Sequence, residues 1–139
     1  MRSRFLFVLI FFLVCHANPL RAQDRFDSDP YKGFRITHPE SQIVELEQPF
    51  RVRVVHGVIR DPSGSPLPDA AFEIRGDSSG KVWGAVADKH GRFWIPGIPR
   101  GTYRFKATLR NFQSVTGTIT VSARARRKST IELILPLGV

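Results

Sequence analysis

Apolar and polar residues alternate in steps of two along much of this chain. The clearest case is residues 102–110, TYRFKATLR, where Tyr103, Phe105, Ala107 and Leu109 fall on one side and Arg104, Lys106, Thr108 and Arg110 on the other. Successive side chains of a strand point to opposite faces, so the first set is expected in a core and the second in water. Phe93 and Ile95 alternate in the same way with Arg92 and Trp94, and Val115, Ile119 and Val121 share one side of SVTGTITVS. Short stretches rich in Val, Ile, Phe and Thr, separated by Gly, Pro, Asp and Ser, predict strands near 50–60, 71–76, 81–87, 91–95, 102–110, 114–122 and 128–135. No window carries the period of a long amphipathic helix. Seven short strands with tight turns point to an all-β, seven-stranded, two-sheet sandwich of Greek-key type over residues 50–136.

The intervening residues carry turn chemistry. DPSG (61–64) and DKHG (88–91) share the form D-x-x-G. In that form the Asp61 or Asp88 carboxylate accepts from backbone amides two residues on, while Gly64 or Gly91 takes a positive φ. PGIPRG (96–101) is stiffened by two prolines and closes on Gly101, and RARRK (124–128) joins the last two strands. If 91–95 pairs with 102–110 through PGIPRG, then Arg92 and Trp94 share a face with Arg104, Lys106 and Arg110. An exposed Trp94 stacks on a sugar ring and neighbouring cations meet carboxylates or phosphates, so these five residues and Trp83 form a candidate ligand face.

The chain opens differently. MRSRFLFVLIFFLVCHANPLRAQ places Arg2 and Arg4 ahead of an unbroken apolar run from Phe5 to Val14, followed by small residues and Pro19. This pattern predicts a secretory signal peptide over residues 1–22, cut after Ala22 or after Ala17. The run is about half the ~20 residues that cross a bilayer, so no transmembrane segment is expected after cleavage. Residues 23–49 mix Asp, Pro, Gly and Ser without a sustained period and read as a flexible leader. Export would place the protein in the periplasm, at the cell surface or outside the cell.

Export also changes the reading of composition. Cys15, the only cysteine, goes with the signal peptide, so about 117 residues must fold without a disulfide. Removing Arg2, Arg4 and Arg21 leaves 18 Lys+Arg against 12 Asp+Glu, a net charge of +6. A basic exported domain favours polysaccharide or another anionic envelope component, or an envelope protein added at a sheet edge. Nucleic acid is not expected, since neither a recognition helix nor a row of stacking aromatics is visible.

Catalytic signals are weak. GDSSG (76–80) matches G-x-S-x-G with Ser78 in the nucleophile slot, which would make a small serine hydrolase. That elbow needs a strand before the serine and a helix after it, and SGKVWGAVADKHG reads as a strand and a turn. His38 falls in the leader, His90 inside a D-x-x-G turn and His56 on a strand rim, so none is placed to complete a triad. No metal or cofactor is expected, because no two histidines have a ligand spacing and neither Asp turn offers a second acid.

Val55, Gly57, Ile59, Asp61, Gly64, Pro66, Leu67 and Ala70, followed by Asp88, Gly91, Phe93, Ile98, Pro99, Gly101 and Tyr103, carry a family pattern. The chain resembles the carboxypeptidase regulatory-like domain, a transthyretin-like β-sandwich related to starch-binding-like folds. Asn111 stands where the pattern has Gly before Phe112, a residue that enters the left-handed region more readily than most. The resemblance implies a non-catalytic module, with sugar binding in cousins of the fold. One enzyme of similar fold, the hydrolase of 5-hydroxyisourate, carries a Tyr-Arg-Gly-Ser tail that this sequence does not match, so none of its residues is carried over. The expected function is therefore a non-catalytic binding or structural module of the cell envelope, with a carbohydrate-binding module using the Trp/Arg face as the alternative.

Overall fold

The computed structural model describes Phe34 and residues 42–138. The predicted signal peptide, and all of the predicted leader before residue 42 except Phe34, lie outside the described residues. Among the described residues nine short strands form two sheets: β1 (Ile43–Glu45), β2 (Phe50–Val52), β3 (Val55–Arg60), β4 (Ala71–Gly76), β5 (Val82–Val86), β6 (Arg92–Ile95), β7 (Gly101–Thr108), β8 (Ser114–Val121) and β9 (Ile131–Ile134). The large sheet has the order β1-β8-β7-β4-β5, with β2 also on β8, and the small sheet has the order β6-β3-β9. The described residues are all-β, as the two-residue period predicts. No helix among them is long and apolar enough to cross a membrane.

Aromatic rings join the two sheets. Phe72 on β4 stacks on Phe93 of β6 at 4.1 Å between centroids and on Phe105 of β7 at 5.5 Å. Val55, Ile59, Ile74, Ile119, Ile131 and Leu133 are among the other side chains of the buried interior. Close packing sets residue size in the small sheet as well. A Cβ on Gly57 would lie 2.1 Å from the Ile131 carbonyl oxygen, so this position of central β3 accepts no side chain.

Three elements differ from the sequence expectation. The strand expected over 50–60 is two strands in different sheets. Val52 and Val55 are both buried but three residues apart, which a straight strand of period two cannot satisfy. A bend at Arg53 and Val54 resets the phase, and Arg53 Nε donates to Ala125 O at 2.7 Å, tying the bend to the β8–β9 connection. Second, β1 lies inside the stretch expected as leader: Ile43, Val44 and Glu45 pair in parallel with Ser114, Val115 and Thr116.

Third, PGIPRG is not a hairpin within one sheet. β6 pairs antiparallel with β3 (His56 opposite Trp94, Val58 opposite Arg92), whereas β7 lies between β4 and β8. Phe93 must face Phe72 across the core, so the loop crosses from the small sheet to the large one. Gly97 supplies its positive φ of 72°, and Gly101 opens β7 instead of closing the turn.

Candidate binding face

The D-x-x-G turns are built alike. Asp61 Oδ1 accepts from the amides of Ser63 and Ser65, each at 2.9 Å, and from Ser63 Oγ at 2.6 Å. Asp88 Oδ1 accepts from the amides of His90 at 2.8 Å and Arg92 at 2.9 Å. Gly64 and Gly91 close them at φ 89° and 72°. These hydrogen bonds, from the Ser63 hydroxyl first for Asp61 and the Arg92 amide first for Asp88, hold both carboxyls below the usual carboxylate range.

The Asp88 turn also aims a side chain. Its Oδ2 accepts from Arg92 Nε at 3.0 Å, which fixes a guanidinium at the start of β6 on the outer face of the small sheet. Strand parity places the neighbours. His56, Val58 and Arg60 leave β3 on that face, Arg92 and Trp94 leave β6, and Glu132 and Ile134 leave β9. Trp94 is 64% exposed and lies directly opposite the half-buried His56. His90 from the turn and Thr130 ahead of β9 complete an open groove of about 750 Å³. Chemically the groove combines an aromatic platform, a fixed cation, two imidazoles and a hydroxyl.

The six expected ligand-face residues do not come together. Arg92 and Trp94 are neighbours in the groove. Arg104 and Lys106 instead leave the outer face of the large sheet, because β6 and β7 belong to different sheets. Arg104 Nη1 donates to Glu45 Oε1 at 2.8 Å across β8. Lys106 is 0% exposed, opposite Glu73 and Thr116, so the expectation of a solvated row on β7 is corrected. Arg110 lies in the turn after β7, exposed and away from both. Trp83 packs on the core side of β5, edge-on to Tyr103 at 5.7 Å, with Lys81 Nζ 4.9 Å from its ring, so it is no part of a ligand face.

Ser78 lies in the β4–β5 hairpin turn, where Gly76 N donates to Lys81 O and Gly80 takes φ 62°. A strand follows it, so the elbow geometry is not formed. Among the described residues no group of three His, Cys, Asp or Glu side chains is arranged to hold a metal ion. The sequence pattern marks His56 as a strand-rim residue and carries no signal for Thr130. Parity on β3 puts His56 outward, but only the β3–β6 and β3–β9 registers bring it beside Trp94 and Thr130.

A family model, the carboxypeptidase regulatory-like domain, matches residues 54–134. No curated protein matches the sequence. Similar solved structures include 3-chlorocatechol 1,2-dioxygenase from Rhodococcus opacus 1CP, 11% identical, covering 74% of this chain and 70% of that chain at a TM-score of 0.44. Catechol 1,2-dioxygenase from Acinetobacter sp. ADP1 is 14% identical over 84% of this chain and 68% of its own, at 0.45. A type II cohesin–X-dockerin complex from Acetivibrio cellulolyticus is 23% identical over 59% and 56%, at 0.38. Likeness this distant leaves the chemistry of those proteins with them.

Proposed function

This chain belongs to the carboxypeptidase regulatory-like domain family, a non-catalytic β-sandwich type, and from that premise we propose that it is an exported binding module whose ligand face is the outer side of the small sheet. The observation that carries the proposal is Trp94, an indole left 64% exposed on a sheet face beside a fixed guanidinium. An indole exposed on a sheet face suits a flat apolar ligand surface. A pyranose ring offers such a face, and Arg92 adds a partner for an acidic substituent. The ligand class is therefore a polysaccharide, acidic by preference, of the cell envelope.

Export rests on Arg2, Arg4 and the Phe5–Val14 run. It predicts a mature protein beginning at residue 18 or 23, read by N-terminal sequencing of material recovered outside the cytoplasm. Binding is tested on an array of neutral and acidic glycans at low and high salt, with Trp94→Ala as control. Salt-resistant binding that disappears in the variant supports a stacking site. Binding that salt abolishes and the variant spares means charge attraction alone, and no binding on any glycan overturns the proposed ligand class.

A further inference from the structure

The outer face of the large sheet presents a different chemistry from the groove. β8 contributes Ser114, Thr116, Thr118 and Thr120 to it, while Arg104, Lys106 and Thr108 come from β7 and Glu73 and Arg75 from β4. A polar face of this kind is ordinarily solvated, and among the described residues no second sheet lies over it. Yet Lys106 is 0% exposed and Ser114, Thr108, Thr116 and Glu73 are all buried. Long cationic side chains are among the least often buried, so something must lie over the centre of this face.

One described residue lies there. The Phe34 ring sits 5.4 Å from Lys106 Nζ and 5.9 Å from Arg75 Cζ. Both are within the distance at which a cation is attracted to an aromatic face. The connection is physically short. Phe34 precedes Ile43 by nine residues, which reach about 30 Å when extended. From β1 to the β7–β4 pair is two to three strand spacings, roughly 10–15 Å.

We propose that the outer face of the large sheet is an intramolecular docking surface, and that its occupant is the chain's own segment at Phe34, seated by its ring over Lys106 and Arg75. The seat lies beyond the predicted cleavage sites, so it persists in the processed protein. It also separates the two faces by use: the large sheet is closed over its cations, and the small sheet keeps Trp94 and Arg92 open. This surface is independent of the groove, and its test reads neither glycan nor Trp94.

The test is the rate at which lysines of the processed protein react with an amine-acylating reagent, resolved by peptide mass spectrometry. Exposed Lys89 and Lys128 serve as internal references. Lys106 is expected to react roughly 10-fold or more slowly than either, the protection that a desolvated cation–π seat supplies. Phe34→Ala is expected to bring Lys106 close to the reference rate without changing the circular dichroism spectrum. Phe34→Trp, which keeps a ring face, is expected to keep the protection. Lys106 reacting at the reference rate in the unaltered protein overturns the proposal. So does protection that survives Phe34→Ala, or that is lost in Phe34→Trp.

Discussion

Gly57 and Gly64 belong to one sequence pattern but answer different constraints. At Gly57 the backbone is ordinary and the space is missing, with the Ile131 carbonyl 2.1 Å from where a Cβ would lie. At Gly64 the space is open, nothing lying within 4 Å, and the constraint is φ at 89°. Gly57→Ala must push β9 off β3, and we expect a loss at or above the upper end of the ~1–3 kcal/mol of an overpacked core. Gly64→Ala costs about 1 kcal/mol, the strain of a left-handed alanine. Urea midpoints of the two variants separate these causes, and equal losses would discard the steric account of Gly57. The turn glycines were legible because D-x-x-G names its own φ. Asn111, at φ 70°, stands in its glycine slot as the sequence suggested. Asp69, at φ 62°, carried no such signal. Lys106 shows the limit of parity, which gives a side chain's direction but not what lies over it. The residue that covers it, Phe34, is far away along the chain.

At the scale of elements, strand identity was legible and strand partnership was not. The alternation in TYRFKATLR and SVTGTITVS sets which residues face inward, and β7 and β8 follow it in direction, although their outward Lys106, Thr108, Ser114 and Thr116 are buried as well. Pairing depends on which loops turn back and which cross, and PGIPRG has the composition of a turn in either case. Because PGIPRG crosses between sheets, Arg92 and Trp94 stand apart from Arg104 and Lys106, and with Arg110 and Trp83 also elsewhere only two of the six expected face residues remain together. Turn chemistry also makes a pH prediction. Asp88 has its carboxyl depressed by the Arg92 and His90 amides and the Arg92 side chain. A depressed folded pKa gives stability that is present above the unfolded value, 3.8 for Asp88. That stability is lost as pH falls through the folded one. The melting temperature should therefore fall as pH drops below ~5, and Asp88→Asn should lower it at neutral pH while flattening that acid limb. An unchanged slope in Asp88→Asn would assign acid sensitivity to other carboxylates. Asp88→Asn should also weaken ligand binding at the groove, because it releases Arg92 Nε.

The two sheets are held by a shared aromatic column, and the proposed ligand face is the outer side of the smaller one. Phe72 touches Phe93 in the small sheet and Phe105 in the large, and Phe50 reaches Phe105 at 5.8 Å. With Cys15 the only cysteine in the sequence, no intrachain disulfide joins the sheets, and this contact must transmit cooperativity between them. Phe72→Ala opens a cavity where both sheets meet and should cost ~3–5 kcal/mol. That loss should lower one unfolding transition as a unit, with near-ultraviolet and far-ultraviolet circular dichroism melting together. Trp94→Ala removes an indole that is 64% exposed and should shift the same transition by no more than ~0.5 kcal/mol. The pair of variants thus divides fold from function. If Trp94→Ala destabilised as Phe72→Ala does, Trp94 would be a structural residue and the small sheet's outer face would lose its claim to a ligand. If it leaves the melt unchanged and glycan binding disappears, the indole is retained for what it binds. A split transition in Phe72→Ala would instead mean that the sheets fold independently, and that Arg53 and the β8–β9 connection, rather than the aromatic column, keep the groove in register.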